Sequence, residues 1–485
     1  VSCNDEAETF PQLTKDVCLK QWGQHCLIVN KWTGRQLRVS VEQAFALCLC
    51  YGKFSLSQIL DLVSHTFEIS PSQARQEIKP ILKKCLDKEM FAIGPLAHIK
   101  AIKPIKPIKP IKPIKPIKPP CKPGSILKEA LKGQTLKGKR YPDPLFLVAV
   151  LTEKCNMRCI YCFRNAGHGV ESQLNTQEWL DIIEQAASMG VVRCFVTGGE
   201  PTLHEGFAPI VSRLLETGIY PYISTNGLDL NDKIIDALAK SGLTRIQVSL
   251  DAVQEELFYE LTGIQNGFEK VLDNIRKLSN AKIEVMVKSV VTASNYKFIE
   301  KLAATCADLG VRVISFEPYG NAPFGRGGKD MLLSQQQRSD SLKMVNKAKE
   351  RFGDTVMIMG SGLKRPMQWK KLPEDCTTCG GFISSMVIQS NGDVGPCELL
   401  PSVDALKIGN IRETSLKDLW NSDAAENIVN PSKEELTDTC IKCEHFTNCR
   451  GGCHAYALLY SDNPFAPDPH CPKVKLSDNP VLVCG

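Results

Sequence analysis

Eleven of the chain's 21 cysteines stand in three ordered groups, and this pattern constrains the fold more tightly than any other feature. Cys155-x3-Cys159-x2-Cys162 comes first, then Cys376, Cys379 and Cys397, then Cys440-x2-Cys443-x5-Cys449-x3-Cys453 with Cys471 beyond. Thiolates at such spacings hold iron-sulfur clusters, so the chain must bring distant segments together around each one. The first group offers three ligands while a cubane has four iron sites, which leaves one iron open for a small chelating molecule. A CxxC by itself suits zinc or a redox pair equally well.

Composition limits the setting. A length of 485 residues suggests about three domains. Val1 to Phe10 is polar and acidic, and no apolar stretch approaches the roughly 18 to 20 residues of a membrane span, so no signal peptide and no membrane partner are expected and the expected location is cytoplasmic. That setting favours reduced thiols and metal ligands over disulfides. The formal charge of +6 is local: eight lysines and no acids lie between Lys100 and Gly124, and the rest of the chain sits at about −2. No broad phosphate-binding face follows, and a nucleic-acid partner is not expected.

Six copies of Ile-Lys-Pro run from Ile102 to Pro119. Proline at every third position excludes helix and holds each preceding residue extended. The pattern predicts a polyproline II rod reaching about 56 Å at about 3.1 Å per residue. It forms a linker over 100–124, a spacer between a first domain at 1–99 and the rest of the chain; recognition by another protein is the competing use. In the first domain, Cys26 to Asn30 and Gln36 to Val39 have strand patterns around a turn glycine in Lys31-Trp-Thr-Gly-Arg35. Helical patterns cover about 41–49, 56–66 and 71–88, with Ser55 and Ser70 placed as caps, Pro71 at a first helical position and Pro80 set to kink or split the third. This α+β unit, residues 10 to 93, resembles the winged-helix-like, PqqD-like peptide-recognition element of peptide-modifying enzymes. The resemblance implies a leader peptide that adds a strand to the short sheet. A winged helix that binds DNA, or one that only packs on its neighbour, has the same pattern.

From Leu145 onward, β-like segments at 145–151, 194–197, 222–225, 245–250, 283–291 and 313–317 alternate with helical patterns. Six β/α units predict an α/β fold, a partial (β/α)6 TIM-like barrel over 140–330 with its function at the carboxyl ends of the strands. The motifs fall at those ends. Cys155-Asn-Met-Arg-Cys-Ile-Tyr-Cys162 resembles the signature of the radical S-adenosylmethionine (radical SAM) superfamily, which implies that the open iron chelates the methionine moiety of S-adenosylmethionine. The cofactors carry such chemistry and the protein positions them. The resemblance also implies a flavodoxin or ferredoxin type electron donor and places Tyr161 against the adenine. Thr197-Gly-Gly-Glu-Pro201 resembles the family's methionine-amine motif and assigns that role to Gly198, Gly199 and Glu200, with the glycines allowing close backbone approach to a ligand. Ser224 and Asn226 end the third strand, and Ser249 and Asp251 the fourth, at the height of the ribose and the methionine carboxylate; turn and cap chemistry would use the same residues. Several relatives carry an arginine downstream of Ser-x-Asp, but none occurs between Asp251 and Arg276, and Lys288 is the substitute assigned to the carboxylate. Gly325-Arg326-Gly327 resembles a loop near the substrate mouth, with no role derived for Arg326.

Cys379-x12-Gly392-x4-Cys397 followed by the remaining cysteines matches the SPASM arrangement of radical SAM peptide maturases, here over 331–485. The resemblance implies auxiliary cluster I on Cys376, Cys379, Cys397 and Cys453, and auxiliary cluster II on Cys440, Cys443, Cys449 and Cys471, three 4Fe-4S clusters in all. The other ten cysteines, Cys48, Cys50, Cys194, Cys306 and Cys484 among them, are expected as buried or incidental thiols. Glu398 stands where sulfatase-maturing relatives carry a carboxylate that deprotonates or orients substrate, and is the candidate catalytic residue. The expected function is maturation of a ribosomal precursor peptide, bound through its leader, by hydrogen abstraction that ends in an oxidative thioether or carbon-carbon crosslink. The rivals are maturation of a folded protein, of sulfatase or quinohemoprotein type, and an iron-sulfur DNA-binding redox sensor.

Overall fold

The computed structural model describes residues 10–13, 17–22, 25–30, 36–40, 43, 46–47, 56, 59–60, 63–64, 69–87, 91–94, 140–167, 172–320, 325–364, 379–400, 404–432, 434–469, 471 and 473–474. The Ile-Lys-Pro rod, Lys31 to Arg35, Ser55, Cys48, Cys50, Cys376 and Cys484 lie outside them. The chain divides into two units, 1–137 and 138–485.

In the first unit, β1 (Phe10–Leu13) pairs antiparallel with β5 (Phe91–Gly94), while β2 (Val17–Trp22), β3 (His25–Asn30) and β4 (Gln36–Val39) form an antiparallel sheet in that order. The strands β3 and β4 coincide with those expected; β2, Val-Cys-Leu-Lys-Gln-Trp, alternates too weakly to announce itself. Helix α1 (Pro71–Asp87) is capped by Ser70, whose Oγ accepts from Gln73 N at 3.1 Å. It runs through Pro80 without splitting, because Pro80 faces solvent and the carbonyl it leaves unbonded is on the wet side of the helix. Its apolar face, Ala74, Ile78, Ile81 and Leu82, joins Ile28, Val39 and Leu47 in a small core.

The second unit is built on a ten-stranded sheet. β6 (Phe146–Val150), β7 (Arg193–Thr197), β8 (Tyr220–Thr225), β9 (Arg245–Ser249), β10 (Glu284–Val291), β11 (Val313–Pro318) and β12 (Met357–Met359) follow one another in parallel. Crossovers include α2 (Thr176–Ser188), α3 (Phe207–Glu216), α4 (Asp232–Lys240), α5 (Glu255–Thr262), α6 (Phe268–Asn280), α7 (Ile299–Asp308) and α8 (Gln335–Phe352). Each helix buries one stripe against the strands; in α6 it is Phe268, Val271, Leu272, Ile275 and Leu278. Side-chain caps mark the starts of α2, α4 and α8, with capping boxes at Asn175 with Glu178 and at Ser334 with Gln337. The six β/α units expected from the sequence are present, and the parallel series continues past residue 330 through α8 and β12.

The cysteine-rich segment does not stand apart. β13 (Ser385–Ile388) adds parallel to the free side of β6, and β14 (Asp393–Gly395) and β15 (Gly409–Asn410) continue the sheet antiparallel. Gly392, the SPASM glycine, makes the β13–β14 turn at φ +90°, where an added Cβ would meet the Asn410 side chain at 2.7 Å. Trp420 and Phe382, both fully buried, belong to the same hydrophobic core as the barrel strands. With β7 on one side and β13 on the other, β6 is the strand at which the order reverses, and ligands bind outside the carboxyl end of such a strand.

Candidate active site

The cysteine loop leaves β6 at this reversal. Gly199 N donates to Thr152 O at 2.7 Å and Glu200 N to Lys154 O at 2.8 Å, which fastens the Gly-Gly-Glu turn after β7 onto the loop. The two glycines are required by this contact: an added Cβ would lie 2.4 Å from Thr152 O at Gly198 and 2.3 Å from Lys154 O at Gly199. Gly199→Ala should therefore force the turn off the loop at about 1–3 kcal/mol of stability, with iron lost from the first cysteine group. Thermal unfolding and iron per chain measure both, and an unchanged value of either would count against this account. On its other side the loop answers the open end of α5, with Arg158 N on Thr262 O at 2.8 Å and Ile160 N on Leu261 O at 3.0 Å.

A cavity of about 360 Å³, within the range of small-molecule sites, opens at the carboxyl ends of the strands. Its wall gathers Cys155, Cys159, Cys162 and Tyr161 from the loop, Gly198, Gly199 and Glu200 from the β7 turn, and Ser224 and Asn226 at the end of β8. Ser249 and Asp251 at the end of β9, Lys288 on β10 and Glu398 beyond β14 complete the set read from the sequence.

Their bonding separates the roles. Glu200 is 1% exposed and accepts from four groups of its own chain: Thr202 N at 3.1 Å, Thr202 Oγ1 and Thr225 Oγ1 at 2.7 Å each, and Asn226 N at 2.7 Å. Burial pushes its pKa up despite these donors, and no side-chain cation pairs with it among the described residues. A buried carboxylate with neutral donors only is a site that a cationic ligand completes. Asn226 does use turn chemistry, its Oδ1 accepting from Leu228 N at 2.9 Å, while its Nδ2 reaches Asn156 Oδ1 at 2.7 Å and so ties the β8 end to the cysteine loop. Ser224 Oγ accepts from Gln247 Nε2 at 2.8 Å. Tyr161 donates its hydroxyl to Asp251, whose other oxygen accepts from Val290 N at 2.5 Å; this holds the ring still at the cavity wall. Burial raises the Asp251 carboxyl to about 6. The Lys288 side chain makes no hydrogen bond or ion pair among the described residues, and its charge reaches both Asp251 and Glu398.

Two arginines shape the site: Arg326, named from the sequence without a role, and Arg164, which sequence reasoning missed. Arg326 donates from its backbone to Cys162 O at 2.9 Å and from its guanidinium to Cys159 O at 3.4 Å and to Ala166 O, so it braces the cysteine loop from the exit of β11. Buried Arg164, two residues after Cys162, donates to Glu398 O at 2.7 Å, to Gln389 Oε1 at 3.0 Å and to Glu153. It joins the loop to the turn that carries Cys397. An arginine inside a ligand loop was the available signal, but only tertiary structure supplies its acceptors.

The other cysteines gather in two sets. Burial raises the pKa of Cys397, to which Cys379 and Cys453 add like charge, and of Cys440 and Cys449, to which Cys443 and Cys471 add theirs. Burial is the larger cause in each case and lifts Cys453 to about 11 and Cys449 to about 12. Cys453 thus leaves its neighbours in sequence for the distant Cys379 and Cys397. Asp468 bonds to a cysteine of each set: its Oδ2 accepts from Cys453 N at 3.0 Å, and its carbonyl accepts from Cys471 N at 2.8 Å. Buried thiols repelling one another fit a positively charged iron core that takes them as thiolates. Among the described residues no three His, Cys, Asp or Glu side chains stand at single-ion spacing. Cys194 and Cys306, outside the sets, are buried.

Residues 149–309 match the Radical SAM superfamily, and residues 370–444 match SPASM, an iron-sulfur cluster-binding domain. The chain is a radical SAM enzyme with a SPASM domain. The SPASM match ends before Cys449, Cys453 and Cys471, so their grouping rests on the contacts above. This radical SAM enzyme is 28% identical over 335 residues to the PqqA peptide cyclase of Ruegeria pomeroyi, covering 68% of this chain and 87% of that one. Its fold is similar to that of Streptococcus suis SuiB bound to S-adenosylmethionine, with TM-score 0.65 and 19% identity over 95% of this chain and 100% of that one. It is also similar to SuiB bound to precursor peptide SuiA, with TM-score 0.61 and 18% identity over 94% and 98%. Among the described residues no helix is long and apolar enough to cross a membrane.

Proposed function

We propose that this radical SAM enzyme matures a ribosomally made precursor peptide, using three 4Fe-4S clusters and S-adenosylmethionine and ending in an oxidative crosslink. The observation that carries the reading is the single cavity walled on one side by the Cys155, Cys159 and Cys162 loop and on the other by Glu398, next to a second cysteine set. The PqqA peptide cyclase relative and the SuiB neighbour bound to a precursor peptide support a peptide in that cavity. Cluster and S-adenosylmethionine together supply a 5′-deoxyadenosyl radical that abstracts hydrogen from substrate.

The chain's own residues do the rest. Glu200 provides the counter-charge for the methionine ammonium, within a turn held by Gly198 and Gly199. Lys288 receives the methionine carboxylate, Tyr161 borders the adenine, and Ser224, Asn226, Ser249 and Asp251 line the ribose side. Glu398 accepts a proton from the substrate, and the second and third cysteine groups would hold auxiliary clusters able to supply an acceptor for the second electron. The clusters take Cys376, Cys379, Cys397 and Cys453, and Cys440, Cys443, Cys449 and Cys471. The first unit binds the leader along its short sheet as a PqqD-like element, and the linker lets leader and core engage together, which raises the core's effective concentration at the cavity. A flavodoxin or ferredoxin type protein supplies the reducing electron, in the cytoplasm. Co-expression with a short peptide encoded beside this chain should give a product lighter by two hydrogens, read by mass spectrometry. A processed peptide of unchanged mass would eliminate the crosslink, and retrieval of a whole folded enzyme in place of a peptide would turn the reading to protein maturation.

A further inference from the structure

A cavity of about 10 Å³, close to the space of one water, lies between the two carboxyl-terminal cysteine sets. Its wall includes Cys379 of one set, Cys449 of the other, and Val429, His454 and Arg450. Of the residues that line it, Arg450 alone carries a fixed charge.

Arg450 follows Cys449 directly and ends the short helix Phe446–Cys449 at φ +52°, with its N–H on Phe446 O at 2.7 Å. L-residues avoid that conformation, and here it turns a charged side chain inward. The residue is 6% exposed, Nη1 donates to Val429 O at 3.3 Å, and Nε is buried without an acceptor. No carboxylate stands within ion-pair distance among the described residues. Glu426, the acid whose charge reaches it, is paired with Arg140 at 3.3 Å. A buried guanidinium with an unanswered N–H and no counter-ion is unfavourable alone. Cys379 and Cys449, one from each set, line the same cavity and would supply the answering negative charge as thiolates of bound clusters.

We infer that Arg450 is a fixed positive charge shared by the two auxiliary centres, which raises their reduction potentials so that they take up electrons more readily. The inference rests on the proposed reading of those cysteines as cluster ligands. Charge and N–H donors near the sulfurs are established means of setting cluster potentials.

The test uses full-length protein, reconstituted anaerobically in a C155A/C159A/C162A background so that only auxiliary centres titrate, with potentials followed by electron paramagnetic resonance. R450Q should lower them by at least tenfold in the reduction equilibrium, about 59 mV for a one-electron couple. R450K, which keeps the charge, should recover at least half of the shift. Unmoved potentials in iron-replete R450Q, or an equal shift in R450K, would overturn the inference. Should R450Q not hold iron, pulsed resonance on protein labelled with ¹⁵N-arginine decides: nitrogen coupling to a reduced auxiliary centre supports the inference, and its absence overturns it. A parent protein without iron would overturn the cluster reading itself, and this inference with it.

Discussion

Cys159→Ala should abolish 5′-deoxyadenosine formation from S-adenosylmethionine by dithionite-reduced protein, a loss of at least about a thousandfold or about 4 kcal/mol in barrel-site chemistry. Cys159 lies at the cavity wall between Cys155 and Cys162, each of which adds like charge to it, and burial lifts its thiol to about 12. Three such thiols have no reason to converge without a metal core, and removing one leaves two ligands where three are needed. Iron should fall by one cluster's share while the auxiliary sets, formed by separate residues, stay loaded. The readouts are chromatographic nucleoside yield and iron per chain. Cleavage at the wild-type rate would dispose of the first cysteine group as the radical-generating site.

Glu398→Gln should lower crosslinked product by about 10²- to 10⁴-fold, the usual contribution of a positioned base, while 5′-deoxyadenosine still forms. The carboxylate lines the cavity, and Arg164 holds the backbone carbonyl of the same residue at 2.7 Å, so the side chain is aimed by a bond it does not itself make. Burial raises its pKa, opposed by the charges of Arg164 and Lys288. Following nucleoside and peptide product in one reaction separates the two steps. Equal losses in both would show that Glu398 supports the loop and does not act on substrate, and an unchanged product rate would remove it from the mechanism.

Much of this was legible in the chain. Strand positions from Phe146 to Pro318 follow from apolar runs buried on both faces, and they carry the motifs to one end of the sheet because parallel crossovers put every strand's carboxyl end on the same side. Spacing alone marks Cys155, Cys159 and Cys162 as one group, since they share one loop. By contrast Arg326, 164 residues beyond Cys162 in the chain, gives no local sign that it donates to that cysteine's carbonyl. The strand β12 is three residues long and carries too short a pattern to stand out.

Local chemistry therefore determined the elements, the ligand loop and the presence of cluster sites, because propensity, caps and thiol spacing act over a few residues. Tertiary structure alone decided that β13 joins β6 and makes it the reversal point, that Gly198 and Gly199 serve the loop's backbone, and that Cys453 meets Cys379 and Cys397. These depend on hydrogen bonds and steric limits between segments tens to hundreds of residues apart. Their partners exist only once the sheet has assembled.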